Sequence, residues 1–457
     1  MKKLVLITLI LLCYYPIIFS QNKQVLFGFD EIPQTLLLNP GSPVTYKYHI
    51  GIPMLSGISV QAGITGFTMA DLFNMDNIDF TTKFNTVLAQ IDSEDYVSSH
   101  AQIEILNGGY KLNSKDYLSG GFYLEMDIFS TYPKDVLTLF NEGNSAYLNT
   151  SFSLAQPSVK GDGVGVLHFG LTRNWNPRLT AGARLKVYSG VLNVTSSYNS
   201  GSFTTRLGND NLYTHYLNNL NVRGYSSGIF YEEDTDVVAT LMRNIFLGGN
   251  LGLGFDIGLT YNINTKTQLA ASILDVGFIS YTRNIKNASI SGNYSIAGIE
   301  LQYDGTNPDY WSAIEDEFRE SIPSEENENS YSVARPIKFN ASISHNWGRS
   351  RKNDNCHDTS YNSYYDNAIG GHVFTVIRPT GPKFAITGFY EKRLLEVLKA
   401  RVTYTVDDFS YSNIGLGLSA KMGIVNVYGI FDNLLHISDI AAANATALQV
   451  GVNLIFK

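Results

Sequence analysis

Between Leu251 and Tyr261 every second residue is apolar: Leu251, Leu253, Phe255, Ile257, Leu259 and Tyr261 alternate with Gly252, Gly254, Asp256, Gly258 and Thr260. A β-strand turns successive side chains to opposite faces, so this stretch carries one greasy face and one small or polar face. The same period recurs at Phe122, Leu124, Met126 and Ile128, at Leu179, Ala181, Ala183, Leu185 and Val187, and at Ala400, Val402, Tyr404 and Val406. It returns in the last stretch, at Leu448, Val450, Val452, Leu454 and Phe456. Past the N-terminus, no uncharged apolar run reaches the ~20 residues that a membrane-crossing helix needs. A chain of this kind enters a membrane only as a closed barrel, because helices and closed sheets alone satisfy every backbone group in lipid.

Composition agrees. Charged residues make up 16% of the chain, well below the roughly 25% of an average soluble domain. With 29 Tyr, 25 Phe and 40 Gly against 13 Pro, the chain reads as a transmembrane β-barrel rather than a soluble enzyme. A soluble β-sandwich also alternates, but the long strands and the ending on Phe456-Lys457 favour an outer-membrane barrel. A formal charge of −8 speaks against nucleic acid as a partner, since phosphate binding needs a basic face.

Met1-Lys2-Lys3, the apolar run Leu4 to Phe19 and the small residue Ser20 have the layout of a secretory signal peptide cleaved after Ser20. Export to the outer membrane follows, with residues 21–457 as one barrel domain. Cleavage also removes Cys13 and leaves Cys356 as the single cysteine, so neither an internal disulfide nor a cysteine metal cluster is expected.

Tight polar breaks at 110–115, 174–178, 262–266 and 421–423 serve as the short turns of such a barrel, with long excursions at the other end. They predict about fourteen antiparallel strands, near 44–64, 99–111, 117–131, 165–175, 179–192, 249–262, 267–282, 337–347, 370–379, 384–391, 398–408, 412–420, 423–431 and 446–456. The outer segments 65–98, 132–164, 193–248 and 283–336 carry helical patterns at Phe80 to Ile91, Lys134 to Phe140, Val237 to Leu247 and Tyr310 to Phe318. Their acidic runs read as solvated surface, and the basic run Gly348 to Lys352 as a solvated loop at the opposite end.

Residues 22–43 lack sustained alternation but hold Phe27, Phe29, Ile32, Leu36 and Leu38. Fourteen strands enclose more space than side chains fill, because eight already leave room only for packing or a small ligand. This segment is therefore expected to act as a plug, with the outer helices as the other candidate filler.

Strand parity turns Glu104, Glu125, Asp127, Arg184, Lys186, Asp256, Lys399 and Arg401 toward the lumen. Both signs together point to an ion-paired network rather than a selectivity ring of one sign. Asp275-Val276-Gly277 interrupts the alternation of Leu269, Ala271 and Ile273 and predicts a bulge or kink at Asp275 and Gly277.

No catalytic or metal constellation emerges, and no cofactor is expected. The eight His residues are scattered, without an H-E-x-x-H pair. Gly224-Tyr225-Ser226-Ser227-Gly228 matches G-x-S-x-G, but it lacks the apolar strand before it and the helix after it that a nucleophile elbow needs.

Asn39-Pro40-Gly41, Arg184 to Gly190, Asp256 to Tyr261, Leu274 to Ile279 and Tyr428 to Leu435 together resemble a family of Bacteroidota outer-membrane barrels. That family is distantly similar to FadL-like fatty-acid transporters and to barrels of type IX secretion. The resemblance implies a fourteen-stranded outer-membrane barrel and carries no catalytic residues with it. Two functions follow as expectations: a barrel that binds or passes a small apolar molecule, or an accessory barrel that docks secreted or periplasmic proteins. Outer-membrane lipid surrounds it in either case.

Overall fold

The computed structural model describes residues 23–208, 213–231, 236–297, 322, 324–349 and 365–456. The expected leader, the helical pattern at Tyr310 to Phe318, the run from Ser350 to Lys352 and Cys356 lie outside the described residues.

Fourteen strands form a closed antiparallel barrel. The first, β1, is split into Tyr48–Gly51 and Ile58–Ile64. Then come β2 (Tyr96–Lys111), β3 (Asp116–Thr131), β4 (Val159–Asn176), β5 (Leu179–Ser196), β6 (Asn250–Asn262) and β7 (Thr267–Tyr281). The eighth, β8, is split into Tyr331–Ala334 and Lys338–Arg349. The last six are β9 (Tyr365–Arg378), β10 (Gly381–Arg393), β11 (Leu398–Asp407), β12 (Asn413–Met422), β13 (Val425–Asp432) and β14 (Ala445–Phe456). Each pairs with its neighbour, and β14 pairs back onto β1 through Tyr48↔Phe456 and Ile58↔Val450, which removes the free edge.

Local chemistry explains the connections. Asn113, Asn176 and Asn264 repeat one device: each Oδ1 accepts the backbone N–H groups two and three residues on, at 2.8–2.9 Å. An Asn side chain that mimics a backbone turn in this way favours a tight reversal. Alternation sets the wall. Along β6 exposed and buried residues alternate without a break, with Leu251, Leu253 and Phe255 outside. Leu253, 56% exposed, therefore tests the outer face: Leu253→Arg should cost roughly 2–4 kcal/mol in lipid and impair assembly. Arg at Tyr411, at the exposed tip between β11 and β12, should be tolerated. Equal yields of heat-modifiable barrel from the two variants would refute the face assignment.

Beyond the wall the excursions differ from expectation. Helices Phe80–Gln90 and Lys134–Glu142 form where the sequence places them, the first capped by Asp79 accepting from the Thr82 N–H at 3.0 Å. The third stops at Arg243, because the chain from Asn244 to Gly248 opens into a wide turn with Leu247 at φ 63°. Much of the remaining described excursion is sheet: Ser200–Leu207, Tyr213–Ser227 and Ile285–Ala297 pair as antiparallel strands, flanked by Ser151–Ser153 and Glu325–Asn327. Gly224 to Ser227 lie inside one of these strands, and Ser226 Oγ donates to the Lys286 carbonyl at 2.5 Å, so the G-x-S-x-G match is no elbow. Nor do the outer helices fill the lumen with their apolar faces. Val87, Leu88 and Ile91 cluster with Leu72, Phe84, Tyr132 and Leu137, while Phe80 and Phe140 stay exposed.

Candidate functional site

The lumen is occupied by residues 23–45. Val25, Leu26, Phe27, Phe29, Ile32 and Leu38 form a buried apolar cluster with Tyr428 and Ile430 of β13. At about 0.8 kcal/mol per buried CH₂, such a cluster is a substantial anchor. It is also tied by hydrogen bonds. Arg401 donates to the carbonyls of Val25 (3.1 Å), Phe27 (2.6 Å) and Gly28 (2.9 Å), and Arg184 to that of Leu36 (2.5 Å). Gln34 Nε2 donates to Glu104 and to Asn453, both at 3.0 Å, and Phe27 stacks on His372 with ring centres 4.3 Å apart.

The eight inward charges are all buried, and most fall into connected groups. Arg184 (3.3 Å) and Lys186 (2.9 Å) share Asp256. Lys186 reaches on to Asp275 at 2.5 Å, and Lys338 meets the other oxygen of Asp275 at 2.9 Å. Glu125 pairs with Arg335 at 2.8 Å, and Arg335 also reaches Asp162 at 3.3 Å. His100 Nδ1 lies 3.8 Å from Glu125 and 3.5 Å from Asp127, which Arg378 clamps. On the far wall Lys399 and Arg401 (2.5 Å) both hold Glu391. Glu104 stands apart and accepts from neutral donors, Gln34, Ser56 and Asn107. Parity had not picked out Asp162, Arg335, Lys338, Arg378 or Glu391. Glu391 had a signal, since it alternates with the outward Ile386 and Tyr390 side of β10.

Asp275 sits at φ 60°, and the β6–β7 register slips between Phe255 and Ile257, so Leu274 and Asp275 face Asp256 as a bulge. The Asp275 N–H donates to Asp256 at 2.7 Å, which ties the bulge into the charge network. Across the other side of β7 the ladder to β8 is interrupted opposite 275–277. There Arg335 N donates to the Gly277 carbonyl at 2.9 Å, and Pro336 has no N–H to offer.

Next to the bulge the outer face is hollowed. Ala181, Leu259, Ala271, Ala341 and Val373 stand in one row across β5 to β9, beside a row that includes Ile257, Ile273 and Phe339. Low alanines between taller neighbours leave an apolar groove of about 530 Å³. Directly behind it the plug segment presses on the wall: Asn39 Nδ2 donates to the Leu259 carbonyl at 3.2 Å, and Ser272 Oγ to the Leu38 carbonyl at 2.6 Å. Gly182 and Gly258 permit this approach, because a Cβ on either would collide with Pro40 or Asn39. Among the described residues no group of three or more His, Cys, Asp or Glu is placed to hold a metal ion.

A family model described as "Family of unknown function (DUF5723)" matches residues 40–432. The chain belongs to DUF5723. The match begins at Pro40, in the plug's contact with the wall, and takes in every charged residue of the network from Glu104 to Arg401. No curated protein matches this DUF5723 chain in sequence. Among solved structures it is similar to the Ralstonia pickettii toluene transporter TbuX, at 11% identity and a TM-score of 0.42 over 94% of this chain and 95% of that one. It is similar also to the P. putida toluene transporter TodX, at 9% identity and a TM-score of 0.37 over 96% and 93%. A Pseudomonas aeruginosa FadL homologue gives 9% and 0.42 over 96% and 99%. Likenesses this distant carry no argument about activity; the barrel rests on its own strand ladder. The resemblance to Bacteroidota proteins and to type IX secretion barrels finds no support in these comparisons.

Proposed function

We propose that this chain is an outer-membrane barrel, exported by a leader cleaved after Ser20, that binds a small apolar molecule at its membrane-facing wall and admits it past the residue 23–45 plug. The observation that carries the reading is the back-to-back arrangement of the apolar groove and the Asn39-Pro40-Gly41 contact across a single layer of backbone. A volume of about 530 Å³ falls in the range of small-molecule sites, roughly 300–1,000 Å³. A molecule dissolved in lipid reaches this groove without crossing water, and at the neighbouring bulge at Asp275 the ladder to β8 is interrupted. The occupied, ion-paired lumen argues against an open aqueous pore.

Filling the groove tests the reading. Ala341→Trp in barrels reconstituted into vesicles should weaken binding of cis-parinaric acid by about tenfold or more, the loss of some 1.4 kcal/mol. Toluene should displace the probe from the unaltered protein. Unchanged affinity in a variant that still forms heat-modifiable barrel would refute the site.

A further inference from the structure

Between the outer sheet that caps the barrel and the start of β6, the chain leaves the cap and lies on the outside of the wall. Helix Val237–Arg243 and the wide turn Asn244–Gly248 form this stretch. Its seat is built from outward positions of three strands. The Phe246 ring stacks on Phe122 of β3, with centres 5.3 Å apart. The Ile245 carbonyl rests on Gly165 of β4, where a Cβ would come within 2.4 Å of its oxygen. Ser189 of β5 donates its hydroxyl to the Asn244 carbonyl and is fully buried by the turn, although Leu185, outward on the same strand, is exposed.

Register fixes the height of the seat. Leu124, Gly165, Ser189 and Leu251 stand in one row across β3 to β6, and Phe122, Leu167, Val187 and Leu253 stand in another. Leu251 and Leu253 are exposed residues of the wall's outer face. The turn therefore lies within the band that the wall presents to lipid, not above it.

The chemistry of the segment fits that depth. Val238 and Met242 share a helix face, Phe246 and Leu247 follow in the turn, and all four are exposed. Phe246 is 63% exposed, against 56% for the wall's own Leu253. A contiguous apolar patch of this kind marks a surface that something apolar covers. Two carbonyls of the turn are met by side-chain donors, Asn244's by Ser189 and Gly248's by Arg283 at 2.8 Å. Water would supply such donors itself, whereas lipid has none and an open carbonyl there is costly. From Val237 to Gly249 the one charged residue is Arg243, exposed and long enough to carry its guanidinium toward the headgroups. We propose that residues 237–248 are a clip inserted among the acyl chains of the outer leaflet. Lipid is the occupant because the exposed face of the clip is continuous with the lipid-facing wall on which it sits. The inference rests on the membrane setting proposed above and not on the barrel's ligand.

Spin-label accessibility in phosphatidylcholine vesicles tests the clip. In a Cys356→Ser background of the mature chain, nitroxides are attached to Met242→Cys and Phe246→Cys, to Leu253→Cys on the wall, and to Tyr198→Cys. Tyr198, 85% exposed, lies outside the barrel strands, just beyond the end of β5. All four positions are exposed, so every labelled variant should keep the heat-modifiable band of the parent. Collision with oxygen, which concentrates in lipid, is compared with collision with a water-soluble nickel chelate. The oxygen-to-nickel ratio at 242 and 246 should match that at 253 and exceed that at 198. A ratio at 242 and 246 as low as that at 198, with 253 still oxygen-rich, would overturn the clip and return the segment to water. Weak collision with both reagents at 242 and 246 would overturn it in favour of a protein cover, such as a second copy of the chain. A nickel-accessible label at 253 would overturn the membrane setting and the clip together.

Discussion

Replacing Arg335 by Met is expected to destabilise the barrel by about 3–5 kcal/mol, because it takes the nearest cation from two buried carboxylates, Glu125 and Asp162. Arg335 pairs with Glu125 and Asp162 and lies over the Tyr188 ring at 5.5 Å. After the change Asp162 keeps the neutral donors Asn193 at 2.7 Å and Tyr281 at 3.3 Å, while Glu125 falls back on Lys338 and His100, each at 3.8 Å. A methionine fills much of the volume but neutralises nothing. Arg173→Met is the matched control: its partner Asp116 lies 3.5 Å away and its side chain is 45% exposed, so that surface pair is worth about 0–1 kcal/mol. The readout is the temperature at which the compact band converts to the unfolded one on a denaturing gel. It should fall steeply for Arg335→Met and scarcely move for Arg173→Met. Equal midpoints would mean that the network contributes nothing to the folded state.

The barrel wall was legible because lipid imposes a rule on every second residue. Where a strand crosses lipid its outward positions must be apolar, so the alternation of Leu251 to Tyr261 recurs along the wall. The cap strands were not legible for the complementary reason. In Tyr213–Ser227, Asn218, Asn219, Asn221 and Arg223 break any greasy face, because one side of that sheet meets water and the other meets a small local core. Helix Phe80–Gln90 could be read from the helical spacing of Phe80, Phe84, Leu88 and Ile91. The wide turn at Asn244–Gly248 could not, since Leu247 adopts a left-handed backbone that apolar periodicity does not encode.

The site was less legible than the wall. Parity assigns a face to one residue at a time and has no access to partners across strands. Arg335 and Lys338 flank Pro336, where the strand is broken and the parity count restarts. Arg378 closes its strand, and Asp162 sits between two glycines, so neither stands in a long alternating run. The groove is harder still. Ala181, Ala271 and Ala341 are ordinary outward residues until register sets them side by side.

On this reading residues 23–45 close the barrel. Their removal should have the largest effect on conduction, because the space they fill is lined by groups that prefer water to vacancy. Arg401 would lose the carbonyls of Val25, Phe27 and Gly28, and Arg184 that of Leu36. Each cation keeps its carboxylate, Glu391 or Asp256, so the wall retains its internal pairing. The apolar contacts with Tyr428 and Ile430 are lost, and the variant should be heat-modifiable but less stable than the parent. The direct measurement is current across planar bilayers for the intact mature chain and for a chain lacking residues 23–42. The intact protein should give little steady conductance, and the deletion should open a stable conducting state. A large, constant current from the intact chain would contradict the plug and make the barrel a porin.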